Sequence, residues 1–543
     1  MPIARANLAV GAFAGVAVAA MLFATRDGSY LSPDSVTYYS MARHIARGDG
    51  VVDFTRTATT VFPPGYPFML AVGLRLHLSL DTASRALNAL CIVGIVNGTW
   101  RLLRANVTSN VSARLGTSLI AGSAVVLDIS RHSWSEPLFC VLLIAAVSSF
   151  HRAIITPTAR HAAVSGMVVG LAFMVRFATL SLFIAGCVAF YAQLDRDRLH
   201  SRRVRVRFTS IAAFTGSALV VATPWLIRNA IRSPHAMLGP RISDPTSYSS
   251  LVVRFFGAVA QEFVPIWALE TWPFIGRAIG IVTAIVAAVV IQSARHRHRD
   301  AFTEPRRSAH DPRSLHCLQI GTRQMQLLQI LAIVTCAYAL MLFVSTKASG
   351  SSIDQRTAAP LVILVTLGAV LVVDRVRSST NHRARRTVQL AVTLFATSSF
   401  VFLVGATTES TSATATFPAR ARPGTLIAYL AAHQFRGHLL SNDPWGISTA
   451  TEHEPLRPFP KRTTPGVSIV AATNDEVLRA ACTTGAAVAW FGAAPFPDNA
   501  LPPGLNLHQQ HRAVDGTLYR IEAPAGICRW PTAITSAVPQ IRP

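Results

Sequence analysis

The sequence predicts a mostly α fold, a polytopic transmembrane helical bundle of about 11 spans with interfacial helices, followed by a C-terminal extracytoplasmic α/β domain. Three observations predict it. The 543-residue chain is 51% hydrophobic and only 14% charged, where soluble domains carry about 25% charged residues. Its apolar residues fall into runs of spanning length, separated by short arginine-rich blocks. Beyond residue 406 the pattern changes to proline-bearing linkers and alternating strand and helix signals. The expected division is therefore 1–405 as the membrane domain, with 26–80 as an external loop bearing interfacial helices, and 406–543 as the α/β domain.

Taken in order, the apolar runs are 8–25, 84–103, 115–129, 136–154, 162–176, 180–194, 209–227, 272–292, 325–345, 358–373 and 388–405. A span needs roughly 20 residues, fewer where the bilayer is thin. The first run follows a weakly basic start and has no convincing cleavage site, so it reads as a retained span. The net charge of +24 does not point to nucleic acid, because the basic residues sit between apolar segments. Arg101 and Arg104, Arg152 and Arg160, and the blocks 196–207, 295–323 and 375–386 are expected on the cytoplasmic side. With the N-terminus inside, the spans then alternate without conflict and the tail falls outside. Segment 67–80 carries Arg75 and His77 and is too short to cross, which suits an interfacial or re-entrant helix. An inner (plasma) membrane location follows from this reading.

In the tail, 424–433 and 473–481 read as helices, the second capped by Asn474. Segments 438–442 and 486–491 read as strands, and Asp515-Gly516 as a hairpin turn leading into 517–521. Cys91, Cys140, Cys187 and Cys336 lie in apolar runs and are expected in the core. Cys482 and Cys528 lie in the tail, where an oxidising compartment would favour pairing. No cysteine and histidine spacing suggests a metal site, and His44, His77 and His132 read as satisfied or solvated.

The polar stretch 26–67 holds Asp27, Asp34, Asp49 and Asp53 and ends on Phe62-Pro63-Pro64-Gly65-Tyr66-Pro67. A long loop of this kind is usually functional. Within it, Ser32-Pro33-Asp34-Ser35 opens a short amphipathic helix. The pattern Asp34-Ser35, Tyr38, Ala42, Gly48 and 62–67 resembles the first external loop of the GT-C glycosyltransferases. These membrane enzymes take sugar from a polyprenyl-phosphate carrier, and protein O-mannosyltransferases and lipid A aminoarabinose transferases are among them. The resemblance implies a GT-C bundle, transfer at the extracytoplasmic face, and Asp34 as the catalytic residue. Many relatives carry an acidic pair where this chain has Asp34-Ser35, which leaves the subfamily open. A plain helix-capping role is the structural alternative for Asp34.

The later motifs resemble the same family. Glu136 in Ser135-Glu136-Pro137-Leu138-Phe139 offers a second catalytic acid, or a first-turn charge behind a Ser135 cap. Arg228 in Pro224-Trp225-Leu226-Ile227-Arg228-Asn229, Arg356 in Asp354-Gln355-Arg356-Thr357, and Arg176 all end spans on the expected external face. Arginine there runs against the positive-inside bias. Its two-pronged guanidinium suits a donor phosphate, and snorkelling to lipid headgroups is the alternative. Lys347 shares the external loop 347–356 and offers a further phosphate contact. No cofactor is called for by the residues, although the resemblance admits a divalent metal at Asp34. Expected partners are a polyprenyl-phosphate sugar, membrane lipid, and a glycan, lipid or protein acceptor. A transporter or lipid flippase is the alternative, and it would place charges in mid-span. A non-catalytic envelope scaffold, or a ligating enzyme that shares only the loop geometry, are further rivals.

Overall fold

The computed structural model describes residues 2–195, 201–232, 246–260, 312–349 and 353–377. In the C-terminal region it describes 424–433, 435, 437–451, 456–459, 472–492, 496–497, 501–524 and 526–528. The expected spans 272–292 and 388–405 lie outside the described residues. Packing divides the chain into two units, one of residues 1–35 and 59–415 and a second of residues 36–58 and 416–543.

The first unit is helical: α1 Pro2–Ala24, α3 Gly65–Arg75, α4 Leu80–Arg104, α5 Asn110–Ala121, α6 Ala124–Arg131, α7 Glu136–Ile155, α8 Ala159–Phe173, α9 Leu180–Asp195, α10 Ser201–Arg232, α11 Tyr248–Ala260, α12 Pro312–Ser349 and α13 Gln355–Arg377. Helix α2, Pro33–Arg47, starts in this unit and runs on into the second. Among the described residues, six helices are long and apolar enough to cross a membrane. They lie in α1, α4, α7, α10, α12 and α13. Large apolar side chains such as Leu90, Val220 and Ile231 stand exposed on them, which suits lipid and not water. The protein is an integral membrane protein.

The expected single span at 115–129 is instead the pair α5 and α6, bent by 40° at their junction. Ser123 breaks the run there by accepting a hydrogen bond from Val126 N, so that α6 starts with its own cap. The expected spans 162–176 and 180–194 correspond to the shorter apolar helices α8 and α9, joined through a 3-10 turn at Phe177–Thr179. Segment 67–80 holds most of the short helix α3, which ends at Arg75, and the turn that leads into α4, in keeping with its non-spanning length.

Helix α8 packs along α10 through Gly166 and Gly170. A Cβ on Gly166 would collide with the Phe214 carbonyl of α10. Small residues four apart let two backbones approach this closely within a bilayer. Phe214 in turn packs edge-on against Phe150 of α7, with ring centroids 5.7 Å apart. At the far end of α13 the buried Asp374 accepts from Thr108 N at 2.8 Å, Thr108 Oγ1 at 2.9 Å and Ser109 N at 3.2 Å, just ahead of α5. Of the cysteines expected in the core, Cys91 and Cys140 are buried. Cys187 is half-buried and Cys336 is exposed, because each lies on an outer helix face.

The second unit carries a five-stranded mixed sheet in the order β2-β1-β3-β5-β4. Its strands are β1 His438–Ser441, β2 Leu456–Pro458, β3 Ala486–Phe491, β4 Asn506–Arg512 and β5 Gly516–Glu522. Strand β1 runs parallel to β2 and β3, and the β4–β5 hairpin is antiparallel, as the Asp515-Gly516 turn predicts. The helix Asn474–Thr483 covers the sheet through Val477 and Ala480. Its cap is Thr473 and not the expected Asn474, since Thr473 and Glu476 form a capping box. Asp443-Pro444-Trp445-Gly446 starts a helix, Pro444–Ala450, with Asp443 accepting from Gly446 N. Cys482 and Cys528 form a disulfide. Residues 36–58 belong to this unit: Leu456 N donates to Phe54 O at 3.1 Å, and Arg43 donates to Ser448 O at 3.3 Å.

Candidate active site

The site lies in the first unit, where four segments distant in sequence meet. Tyr30 bridges to His132, with Tyr30 N donating to Arg131 O at 3.0 Å and Ser133 N to Tyr30 O at 3.1 Å. Asn88 of α4 donates to the carbonyls of Ser130 and His132, both at 2.8 Å. This framework fixes the turn 132–135, which leads directly into Glu136 at the start of α7.

Asp34 sits in the first turn of α2 but does not cap it. Ser32 does, its Oγ accepting from Ser35 N at 3.3 Å. The Asp34 carboxylate instead accepts from Arg356 Nη1 at 2.6 Å. Arg356 is the second residue of α13, and its Nε also donates to Glu136 Oε1. Arg176, just after α8, pairs with the same Glu136 oxygen. Two carboxylates and two guanidiniums thus form one charge-balanced chain, Asp34–Arg356–Glu136–Arg176. The acids differ in access: the Asp34 side chain is 28% exposed, whereas that of Glu136 is 1% exposed. Glu136 Oε2 is buried and has no hydrogen-bond partner among the described residues. Ser135 makes no side-chain cap to α7, contrary to the capping alternative, and its Oγ accepts from Arg176 Nη1 at 3.2 Å.

Segment 62–67, which runs into the start of α3, is tied to the residues beside this cluster. Gly65 N donates to Met174 O at 2.7 Å, two residues before Arg176. A Cβ on Gly65 would lie within 2.5 Å of that carbonyl, so only glycine fits. Tyr66 OH bonds Ser84 Oγ at 3.1 Å, and Ser84 Oγ donates to Ser133 Oγ at 2.9 Å.

Not every expected site residue joins the cluster. Arg228 donates to Thr59 O at 2.6 Å and to Asn229 Oδ1 at 2.9 Å, and stacks over Trp225. Lys347 is not in a loop but in the last turn of α12, where it donates to Thr246 O at 2.6 Å and lies over the Tyr248 ring. Sequence reasoning passed over Trp134. Its indole lies under Arg356, 4.5 Å from ring centroid to guanidinium carbon, and its Nε1 donates to Ser32 Oγ at 2.7 Å. The signal was present, since a tryptophan between two serines in a polar turn has no apolar periodicity to explain it. His132 stacks on the same indole, with centroids 3.7 Å apart, and its Nδ1 donates to Asp128 O. Burial holds the His132 imidazole below its usual range. The nearby Asp128 opposes the shift, while Arg131 and Arg356 add to it. Among the described residues, no group of three or more His, Cys, Asp and Glu could hold a metal ion. Asp34 and Glu136 each face arginine, which suits an anion better than a divalent cation.

The helical bundle has the fold of solved GT-C glycosyltransferases, to which the chain is similar at low sequence identity. More narrowly, residues 62–227 match the dolichyl-phosphate-mannose-protein mannosyltransferase family. Comparison with curated proteins finds no match. Among solved structures, the chain is similar to ArnT from Cupriavidus metallidurans in the apo state, at 14% identity and a TM-score of 0.61. That alignment covers 95% of this chain and 98% of the other. It is also similar to that ArnT bound to undecaprenyl phosphate, at 13% identity and TM-score 0.58, covering 94% and 97%. The mycobacterial arabinofuranosyltransferase AftD aligns at 16% identity and TM-score 0.51 over 95% of this chain but only 40% of its own length.

Proposed function

We propose that the protein is a membrane glycosyltransferase that moves a sugar from a polyprenyl-phosphate donor to an acceptor by inverting transfer. The reading places the reaction on the extracytoplasmic face of the inner membrane, with the α/β domain on the same side. The observation that carries it is the Asp34–Arg356–Glu136–Arg176 chain, in which an accessible carboxylate shares its arginine with a buried one. The likeness in fold to an ArnT bound to undecaprenyl phosphate supports a lipid-phosphate donor.

In this mechanism Asp34 takes the proton of the acceptor hydroxyl as its oxygen attacks the anomeric carbon from the face opposite the phosphate. The bond from that carbon to the phosphate oxygen breaks, and polyprenyl phosphate leaves. Arg356 and Arg176 stabilise the departing charge through charge-assisted hydrogen bonds. Glu136, too buried to meet an acceptor, holds both guanidiniums in place. Because Arg356 already binds Asp34, an arriving phosphate competes for it and frees the carboxylate, so that the base is released when the donor is seated. Arg228 and Lys347 are assigned as outer donor contacts. Among the described residues, the charges of this cluster lie at or beside helix ends and not in mid-span, which gives the transporter reading no support.

The test is transfer by purified protein from radiolabelled polyprenyl-phosphate sugars to candidate acceptor lipids. Asp34→Asn keeps the size of the side chain but cannot take a proton, and turnover should fall about 100-fold or more. Arg356→Ala should raise the donor KM as well as lower kcat. Near-normal turnover by the Asp34→Asn protein would remove Asp34 from this role.

A further inference from the structure

We propose that Trp134 is a positioning residue that sets Asp34 and Arg356 against each other, using two separate parts of one indole. The geometry stands by itself, and its catalytic consequence rests on the glycosyl-transfer reading.

The indole nitrogen acts on the Asp34 side. Trp134 Nε1 donates to Ser32 Oγ at 2.7 Å, and that same oxygen accepts from Ser35 N and lies 3.1 Å from Ser35 Oγ. Ser32 therefore caps the turn in which Asp34 sits, and Trp134 fixes the cap. The ring face acts on the Arg356 side, with the guanidinium carbon 4.5 Å from the ring centroid. A cation over an indole is attracted to the ring and restricted in orientation. His132 stacks behind, within 7° of parallel, and is itself held by Asp128 O, so the indole cannot easily tip. One side chain, two residues before Glu136, thus sets the height of the carboxylate and the plane of the guanidinium. Plain packing would need only an apolar ring here, and an apolar ring would not supply the N–H.

These two functions predict a split in kinetics. Ser32→Ala removes the acceptor, and Trp134→Phe removes the donor while keeping an aromatic face. Trp134→Phe should lower kcat about fivefold, the value of one hydrogen bond, and Ser32→Ala at least as much because it also removes the cap on Ser35 N, each with donor KM within about twofold. The double variant should be no worse than Ser32→Ala alone, because that change already removes the bond that Trp134→Phe removes. Trp134→Ala should in addition raise donor KM about tenfold. Additive losses in the double variant would overturn the proposal. So would variants with lowered melting temperature but unchanged kcat and KM. Direct binding of undecaprenyl phosphate separates this idea from the broader reading. If the wild type binds the lipid but transfers no sugar, the transfer reading fails while weaker binding by Trp134→Ala still supports the positioning role. Equal binding by the two proteins, or none by either, would overturn it.

Discussion

Arg356 touches Asp34 and Glu136, both more than two hundred positions away in sequence, and Arg176 reaches back 41 residues to Ser135. That is why the site was legible only in part. Asp34, Glu136, Arg176 and Arg356 stand out in the sequence one at a time, Asp34 in a polar loop and the others as charges at the ends of apolar runs. Nothing local to any of them tells that Arg356 bridges both acids, or that Ser135 bonds Arg176 and leaves α7 uncapped. Trp134 and Ser32 gain their meaning only from a contact across 102 residues. His132 gives this scale its pH prediction. Its imidazole is held below the usual value by burial, whereas in the unfolded chain it titrates near 6.5. Below about pH 6.5 the unfolded chain takes up a proton that the folded one refuses, so stability should fall as pH drops through that range. Thermal unfolding in detergent from pH 7.5 to 5 should show this loss, and His132→Gln should flatten it. A wild-type melting temperature that rises toward pH 5 would contradict the assignment.

At the scale of elements, hydrophobic runs located most of the helices, but not every break between them. Ser123 splits one expected span into α5 and α6 by local hydrogen bonding inside an apolar run, whereas the break between α8 and α9 was visible, as Arg176 and the residues after it separate the two expected runs there. The close contact of α8 on α10 depends on Gly166 and Gly170, which look in sequence like any other small residues in a span. Gly166→Leu must push the side chain against the Phe214 carbonyl and displace α10, and with it the Phe214 ring packed on α7. Folded yield after detergent extraction should drop severalfold. Gly11→Leu is the control: a Cβ there meets nothing within 4 Å, and yield should be unchanged. Equal yields for the two variants would show that the α8–α10 approach can relax.

The whole molecule was legible as a membrane bundle with an appended α/β domain, down to the hairpin at Asp515-Gly516. The allocation of residues 36–58 to the second unit was not, because Phe54 and Arg43 meet their partners Leu456 and Ser448 some four hundred residues on. The disulfide Cys482–Cys528 closes a separation of 46 residues. Replacing both cysteines with serine should destabilise the second unit by about 2–5 kcal/mol. A lower protease threshold for cleavage within 416–543 would report it, and unchanged resistance would mean that the sheet holds without the bridge. Topology is testable on the intact chain with single-cysteine probes at Ser352 and Ser378 on a cysteine-free background. They should label from opposite sides of the membrane, since α13 lies between them and carries its arginines, Arg375 and Arg377, at one end.

That same helix has a consequence for anyone who maps this protein by random mutation. Arg356 and Asp374 are 18 residues apart on α13, which at the usual helical rise is about 27 Å. The Asp374 end is moored by Thr108 and Ser109, and by Gln324, whose side-chain amide donates to Leu371 O at 2.9 Å. Loosening the mooring lets the rod slide or turn, and the guanidinium at its other end moves with it. A screen scored only for lost activity would therefore return Thr108, Gln324 and Asp374 beside Asp34 and Arg356. Read on a flat sequence, those hits would suggest a second, separate site, although all of them lie on or against the one helix that carries Arg356.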